Sequence, residues 1–492
     1  MLRVLARELT WPLGNSSHTP SIHILDDDSL LNVFSLYRPL PLGEDYYDED
    51  RFKEGNRQWV EDCWWYKLAH VCQRWRNLIF RSASYLGLSL VCTKDTPVAD
   101  MLAHSPPLPL VIDYFERYGG ITTESEERVT LALTQRDCVR RICLDMSIIN
   151  LQKLIVAIEE EYPILEYLVI WHQIKDSTTF LMLPGTLEVP RLRHLTLVGF
   201  ALPIESRLLT TAVHLVTLCL VMNSPPTYFH PNTLLQWLSF MPQLEMLKIR
   251  FLFHAPNRDI EGQLMHPSVM SPVALPNLHH FYFRGDSTYL EALVHRITPC
   301  PKKLDIRLVS QRTFSFPSLV QFMNTTENLK FESAKFKFSE WHVFVAAYPR
   351  GETEMYHFSI AVTGWDCDWQ ISPMAQICNS LRQIFSAVER LTLEPGVLDI
   401  WSPEEDNLGV DSAVEWRQLL SSFNNVKTLR IHQMFVKGVS RCLRLDNGEL
   451  LLDLLPGLQE LIYSGSGKFG DPFTSFINAR QKSGRPITLP HY

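Results

Sequence analysis

Two rhythms of apolar and polar positions run along this chain. From Val139 onward a phrase of the form apolar-x-x-apolar-x-apolar recurs nine times. The copies are Val139/Ile142/Leu144, Leu165/Leu168/Ile170, Leu192/Leu195/Leu197, Leu215/Leu218/Leu220 and Leu244/Leu247/Ile249. They continue as Leu278/Phe281/Phe283, Val388/Leu391/Leu393, Val426/Leu429/Ile431 and Leu458/Leu461/Tyr463. The last two apolar positions of each phrase are two residues apart, the period of a strand with one buried face. Successive phrases start 26, 27, 23, 29 and 34 residues apart over the first five intervals, enough for one strand and one helix per unit. Between them lie windows with helical spacing, at Ile148 to Tyr162, Asn232 to Phe240 and Ser412 to Phe423.

A unit of one strand and one helix cannot bury its own apolar face, so neighbours must stack. The pattern therefore predicts an α/β repeat over residues 96–492. Its expected form is a curved, leucine-rich-repeat-like solenoid with a parallel sheet on the concave face. The match is loose, since the asparagine of a regular repeat occurs only as Asn223. Between Leu304 and Val388 the period blurs, and irregular or larger units are expected there.

Residues 20–95 read differently, as a small helical module after a tail over residues 1–19. Asp26 to Ser29 offer an N-cap and first-turn acids for a helix in which Leu30, Leu31, Val33 and Phe34 share one stripe. From Trp64 to Arg81 the residues Leu68, Val71, Cys72, Trp75 and Ile79 fall at offsets of 0, 3, 4, 7 and 11, which predicts one amphipathic helix. Residues 39–58 between them contain Glu44 to Asp50 and read as an acidic, solvated loop. Prolines between Thr93 and Pro109 mark the passage to the repeats.

Leu25 through Phe34, followed by Leu68-Ala69-x-Val71-Cys72-x-x-Trp75-x-x-Leu78-Ile79, resembles the F-box. The chain also looks like the fungal F-box-like proteins, which share Trp65 to Arg76 and the run Ala99 to Leu110. Asp26 stands where that family has a proline, and the spacer from Leu36 to Trp64 is longer than its tight turn. The resemblance implies docking on a Skp-type adaptor and, through it, on cullin and RING subunits. Leu25, Leu31, Phe34, Leu68, Val71 and Trp75 are the implied adaptor-binding residues. The implied function is that of a substrate receptor in an SCF-type ubiquitin ligase, with an unidentified protein as target. A repeat scaffold without any ligase link is the competing expectation.

Strand geometry projects alternate residues of each phrase onto the polar side of the sheet. Tyr167, Trp171, Met246, Lys248, Arg250, His280, Tyr282 and Arg284 are the candidate target-binding residues, with Arg141 and His194 beside them. Tyr, Trp and Arg dominate protein-binding hot spots.

Composition narrows the functional classes. Hydrophobic residues make up 46% of the 492 positions and charged residues 20%, the balance of a folded protein. The net charge is −8 and no Lys/Arg block occurs, so nucleic-acid binding is not expected. No apolar run approaches the roughly 20 residues that cross a bilayer. Met1 to Leu13 is interrupted by Arg3, Arg7 and Glu8 and does not read as a secretory leader, so a cytoplasmic or nuclear location is expected. The ten cysteines are scattered without zinc-site spacing. Ser464 to Gly470 lacks the first glycine and the Ser/Thr of a phosphate loop, and Asp366-Cys367-Asp368 lacks the rest of a calcium loop. Neither a catalytic role nor a cofactor is expected.

Overall fold

The structure, a computed structural model, describes residues 25–38, 64–115, 121–172, 180–253, 271–309, 313–325, 330–339, 342–352, 355–363, 371–396, 413–443, 454–463 and 472–489. The tail, the acidic loop and the Ser464 and Asp366 segments lie outside the described residues. Two compact units emerge, one of residues 1–92 and 96–111, the other of residues 93–95 and 112–492.

The N-terminal unit contains α1 (Asp27–Tyr37), α2 (Trp64–Ala69), α3 (Gln73–Arg81), α4 (Ala83–Leu86), β1 (Leu90–Cys92) and α5 (Val98–His104). Asp26 caps α1 as its sequence predicts, accepting from the Ser29 N–H at 2.6 Å. Leu30 and Phe34 are the buried stripe of that helix. Phe34 meets Trp75 edge to face, with ring centroids 4.9 Å apart. Trp65 fills the space beside Phe80 and donates from Nε1 to the Ser89 carbonyl at 3.2 Å. Arg74 ties α3 to the start of α1 through Asp27 Oδ1 and the Leu25 carbonyl, both at 2.7 Å.

The expected single helix from Trp64 to Arg81 is two helices. The break falls at His70 to Cys72, where Cys72 is extended at φ −158°, ψ 169°. The Arg76 guanidinium donates to the Ala69 carbonyl at 3.1 Å and satisfies the end of α2. On an unbroken helix Val71 would share a face with Trp75 and Leu78, four and seven residues on. The turn instead leaves Val71 58% exposed while Trp75, Leu78 and Ile79 are buried.

The C-terminal unit takes in the distal part of β2 (Leu110–Phe115), then α6 (Thr123–Leu133), β3 (Val139–Met146), α7 (Ile148–Ile155) and β4 (Tyr167–His172). Next come β5 (Leu181–Met182), β6 (His194–Val198), β7 (Phe200–Ala201), α8 (Arg207–Thr210), β8 (Thr217–Met222), α9 (Pro231–Leu238) and β9 (Met246–Phe251). The chain goes on through β10 (Val273–Ala274), β11 (His280–Gly285), α10 (Ser287–Val294), β12 (Ile297–Thr298), β13 (Lys303–Val309) and α11 (Pro317–Asn324). Then follow β14 (Phe331–Phe338), β15 (His342–Pro349), β16 (Phe358–Thr363), α12 (Ile371–Ser380), α13 (Arg382–Phe385) and β17 (Arg390–Pro395). Last are α14 (Ala413–Leu420), β18 (Thr428–Ile431), α15 (Val436–Leu443), β19 (Glu460–Tyr463) and α16 (Thr474–Lys482).

Apart from β5 and β7, and β10 and β12, which pair as two short separate sheets, these strands form one large, mostly parallel sheet in the order β2, β3, β4, β6, β8, β9, β11, β13, β16, β15, β14, β17, β18, β19. All nine apolar phrases end in strands of this sheet. The second positions of the first six stand in register as Ile142, Leu168, Leu195, Leu218, Leu247 and Phe281, and Leu304 of β13 continues the row, each 0% exposed. Two rows of this kind under the helices form the core. At about 1.5–3 kcal/mol per buried side chain, that stacking dominates the unit's stability.

The departure from a parallel sheet falls where the period blurs. After β13 the chain passes through α11 to β14, and β15 and β16 then fill the intervening positions, β15 running antiparallel to both neighbours. At the far edge the Thr488 N–H donates to the Gln459 carbonyl at 2.8 Å and the Leu461 N–H donates to Thr488 at 3.1 Å, so Thr488 lies along β19.

Buried polar groups hold the turns. Asn223 Nδ2 lies 2.8 Å from His172 Nε2 beneath Gly199, whose φ of +79° only glycine adopts without strain. Glu291 of α10 accepts from the Ser318 and Leu319 N–H groups at 2.7 and 2.9 Å, capping α11 with a neighbouring unit's carboxylate.

Candidate functional site

The face of the sheet opposite the leucine rows carries the alternate positions, and register fixes which of them are neighbours. Lys248, Tyr282 and Asp305 are direct partners across β9, β11 and β13, and Ser359 of β16 continues their row. Arg250, Arg284 and Arg307 make a second row. Met246, His280 and Lys303 make a third. Parallel strands stand about 4.8 Å apart, so each row brings its side chains into mutual reach.

Tyr282 is the centre. Its ring centroid lies 5.1 Å from Lys248 Nζ, 5.5 Å from Arg307 Cζ and 6.0 Å from Arg250 Cζ. Arg307 is exposed, Lys248, Tyr282 and Arg284 are half-buried, and Arg250 is buried. Beside the cations, Asp305 is buried and takes Ser359 Oγ at 2.6 Å and His280 Nε2 at 2.9 Å, with Lys303 Nζ at 3.7 Å. Burial alone would push its carboxyl up. The hydrogen bonds from His280 and Ser359 and the charge of Lys303 outweigh it and hold the group below its usual value. Burial, then the charge of Asp305, raises the nearby Tyr356 phenol, over which Lys303 sits at 5.1 Å.

Towards β3 the face changes character. Tyr167 stacks on His194 with centroids 4.3 Å apart and planes 6° off parallel, and Arg141 lies 5.9 Å from the Tyr167 ring. Burial, helped by Arg193 and Arg141 and opposed by Glu166, pulls His194 down to about 4. Trp171 and Leu252 pack against Val198, Cys219 and Val221, an apolar patch on this same face.

All eight sequence-predicted target-binding residues thus lie on one face, but not in one cluster. Tyr167 and Trp171 belong to the aromatic and apolar end, while Met246, Lys248, Arg250, His280, Tyr282 and Arg284 belong to the basic end. Sequence reasoning missed Lys303, Asp305, Arg307, Tyr356 and Ser359. Leu304-Asp305-Ile306-Arg307-Leu308 does alternate apolar and polar, and that strand signal could have found three of the five partners from Lys303 to Arg307.

In the N-terminal unit the implied adaptor-binding residues divide. Phe34 and Trp75 are 1% and 8% exposed and pack on each other, so they hold the unit together instead of offering a surface. Leu25 and Val71 are exposed, and Leu31 and Leu68 are half-buried. Val33, Leu36, Tyr37 and Tyr85 add exposed apolar area. Leu31 and Tyr85, with Asp28, Asn32 and Arg81, line an open cleft of about 550 Å³.

Among the described residues no cluster of His, Cys, Asp or Glu is arranged to hold a metal ion, and no helix is long and apolar enough to cross a membrane. No protein-family model matches the sequence, and no curated protein matches it. Among solved structures, the chain is similar to the leucine-rich repeat-containing protein LegL7 from Legionella pneumophila. The two are 12% identical over 81% of this chain and 99% of that one, with a TM-score of 0.26.

Proposed function

We propose that this chain is the substrate-receptor subunit of an SCF-type ubiquitin ligase, a non-catalytic protein whose sheet face holds a target and whose helical unit docks on a Skp-type adaptor. The observation that carries the target-binding half is the face itself. Tyr282 and its ring of cations are set in register by rigid strands, the way a preorganised binding surface is built. The adaptor half is supported by the resemblance of Leu68 to Ile79 to the F-box and by the exposed Leu25, Val33, Leu36 and Val71. Burying side chains of this kind contributes about 1.5–3 kcal/mol each.

A second reading, a repeat scaffold without a ligase link, is favoured by the burial of Phe34 and Trp75, which removes the two largest implied docking groups. Affinity purification of the tagged full-length chain followed by mass spectrometry separates the two. The receptor reading expects a Skp-type adaptor and a cullin with the wild type, and their loss with Leu25→Asp/Val71→Asp. Recovery of other proteins with neither adaptor nor cullin establishes the scaffold reading instead.

A further inference from the structure

We infer that Tyr356 is the removable occupant of a subsite on the sheet face, and that this subsite receives a tyrosine side chain of the protein partner. This rests on the reading of the face as a partner-binding surface and adds one element of that partner's chemistry.

The subsite is a hollow lined by small residues. In the row that runs from Tyr282 to Asp305, register places Ser359 and Ala346 next and Lys335 of β14 after them. Ala361 lies beside this stretch, between Arg307 and Phe344. Short side chains thus stand where β11 and β14 carry Tyr282 and Lys335, yet Ser359, Ala361 and Ala346 are buried. Tyr356 covers them. Phe344 and Tyr348 stand on either side of Ala346 along β15, and the Tyr356 ring meets both edge to face, with centroids 6.0 and 6.3 Å apart. Its phenol hydrogen-bonds Asp305, and Lys303 Nζ lies 5.1 Å from the ring.

This ring is held less firmly than those of the core. Phe336 and Phe358 are wholly enclosed, whereas Tyr356 is half-buried and its neighbour Met355 is exposed. A Cβ added at nearby Gly351 would meet nothing within 4 Å. His357 is pinned instead: its N–H donates to the Ala347 carbonyl at 3.2 Å, and its carbonyl accepts from the Leu304 N–H at 2.8 Å. Rotation of the Tyr356 side chain about Cα–Cβ therefore empties the hollow without moving β16.

What that rotation uncovers selects the ligand. Asp305 keeps Ser359, His280 and Lys303 and loses one hydroxyl donor, between walls formed by Phe344 and Tyr348. A visiting tyrosine restores both the ring contacts and the donor. Phenylalanine leaves the carboxylate short of a partner, and phosphotyrosine sets a second negative charge against it.

The test uses the purified full-length chain, its Tyr356→Ala and Tyr356→Phe variants, and fluorescence anisotropy. The probes are peptide pools with Tyr, Phe, Ala or phosphotyrosine fixed at the centre of randomised flanks. Tyr356→Ala should bind the Tyr pool about ten-fold tighter than the wild type does, the relief expected on removing an occupant that fills the hollow about nine-tenths of the time. The Phe pool should gain less, and the Ala and phosphotyrosine pools should not gain. Tyr356→Phe keeps the ring without the hydroxyl, so it should give the same ranking with a smaller gain, and it decides alone where Tyr356→Ala fails to fold. Equal gains on all four pools, or no gain in either folded variant, overturn the assignment. Affinity purification that captures the same partners from wild type and Tyr356→Ala, with no ranking among the pools, removes the subsite and leaves the receptor reading intact. No captured protein, with no ranking, removes both.

Discussion

His280 and Asp305 meet diagonally across β11 and β13, with imidazole Nε2 2.9 Å from carboxylate Oδ2. Ser359 Oγ holds the other carboxylate oxygen at 2.6 Å. One buried acid therefore knits three strands of the basic end. Its folded pKa lies below the usual value, so the stabilisation it supplies is present above the unfolded pKa of about 4 and is lost as pH falls below that. Asp305→Asn should lower stability by about 2 kcal/mol at neutral pH. Urea midpoints of wild type and variant should converge when measured below pH about 4.

His194 adds a second window of the same sign at higher pH. It stays neutral in the fold down to about 4, whereas an unfolded histidine protonates near 6.5. The unfolded chain therefore binds the extra proton between those values, and wild-type stability should fall as pH drops from about 6.5 to about 4. His194→Gln loses the stack on Tyr167 at every pH but should show a shallower decline across that interval in urea titrations.

Gly199→Ala should be among the most damaging single changes in the C-terminal unit. A Cβ there would stand 1.7 Å from His172 Nε2 and 2.6 Å from Asn223 Nδ2, and the residue holds a φ of +79°. Left-handed strain plus a broken buried hydrogen bond should cost about 3 kcal/mol, read from the shift of the unfolding midpoint.

Much of this architecture is legible in the residues because strand burial repeats every second position. Ile142, Leu168, Leu195 and Leu218 announce neighbouring strands without knowledge of any contact. The same reasoning stops at β13 to β16, where one strand runs backwards: pairing β15 against β14 is a long-range choice that local alternation does not encode. Lys303 and Arg307 are a different case: they lie on a strand that carries none of the nine phrases, although Leu304, Ile306 and Leu308 alternate around them. Asn223 was visible only as a fragment of a repeat pattern, and its role emerges from His172, 51 positions away. In the helical unit the spacing of Leu68, Val71, Cys72 and Trp75 satisfies one helix equally well. Tertiary packing of Trp65 and Trp75 decides for two. Apolar type alone does not separate a core residue such as Phe34 from an exposed one such as Val71.

That separation has a measurable consequence. Trp75→Ala should destabilise the N-terminal unit by about 3–5 kcal/mol, since a buried aromatic and its partner Phe34 lose their contact. Val71→Asp should change its stability by no more than about 0.5 kcal/mol. Thermal unfolding followed by tryptophan fluorescence distinguishes the two.

Glu291→Ala should loosen α11 without touching its sequence. The carboxylate serves two N–H groups of that helix from the preceding unit, and its loss should cost about 1–2 kcal/mol. Hydrogen exchange should speed up first at Ser318 and Leu319, the amides that lose their acceptor.

Thr488, laid along β19, has a consequence for how other molecules approach. The backbone groups of Gln459 and Leu461 that point away from β18 are already occupied by a short stretch of this same chain. A visiting strand finds those two groups of β19 already paired, which blunts that stretch of the margin as a template for edge-to-edge pairing.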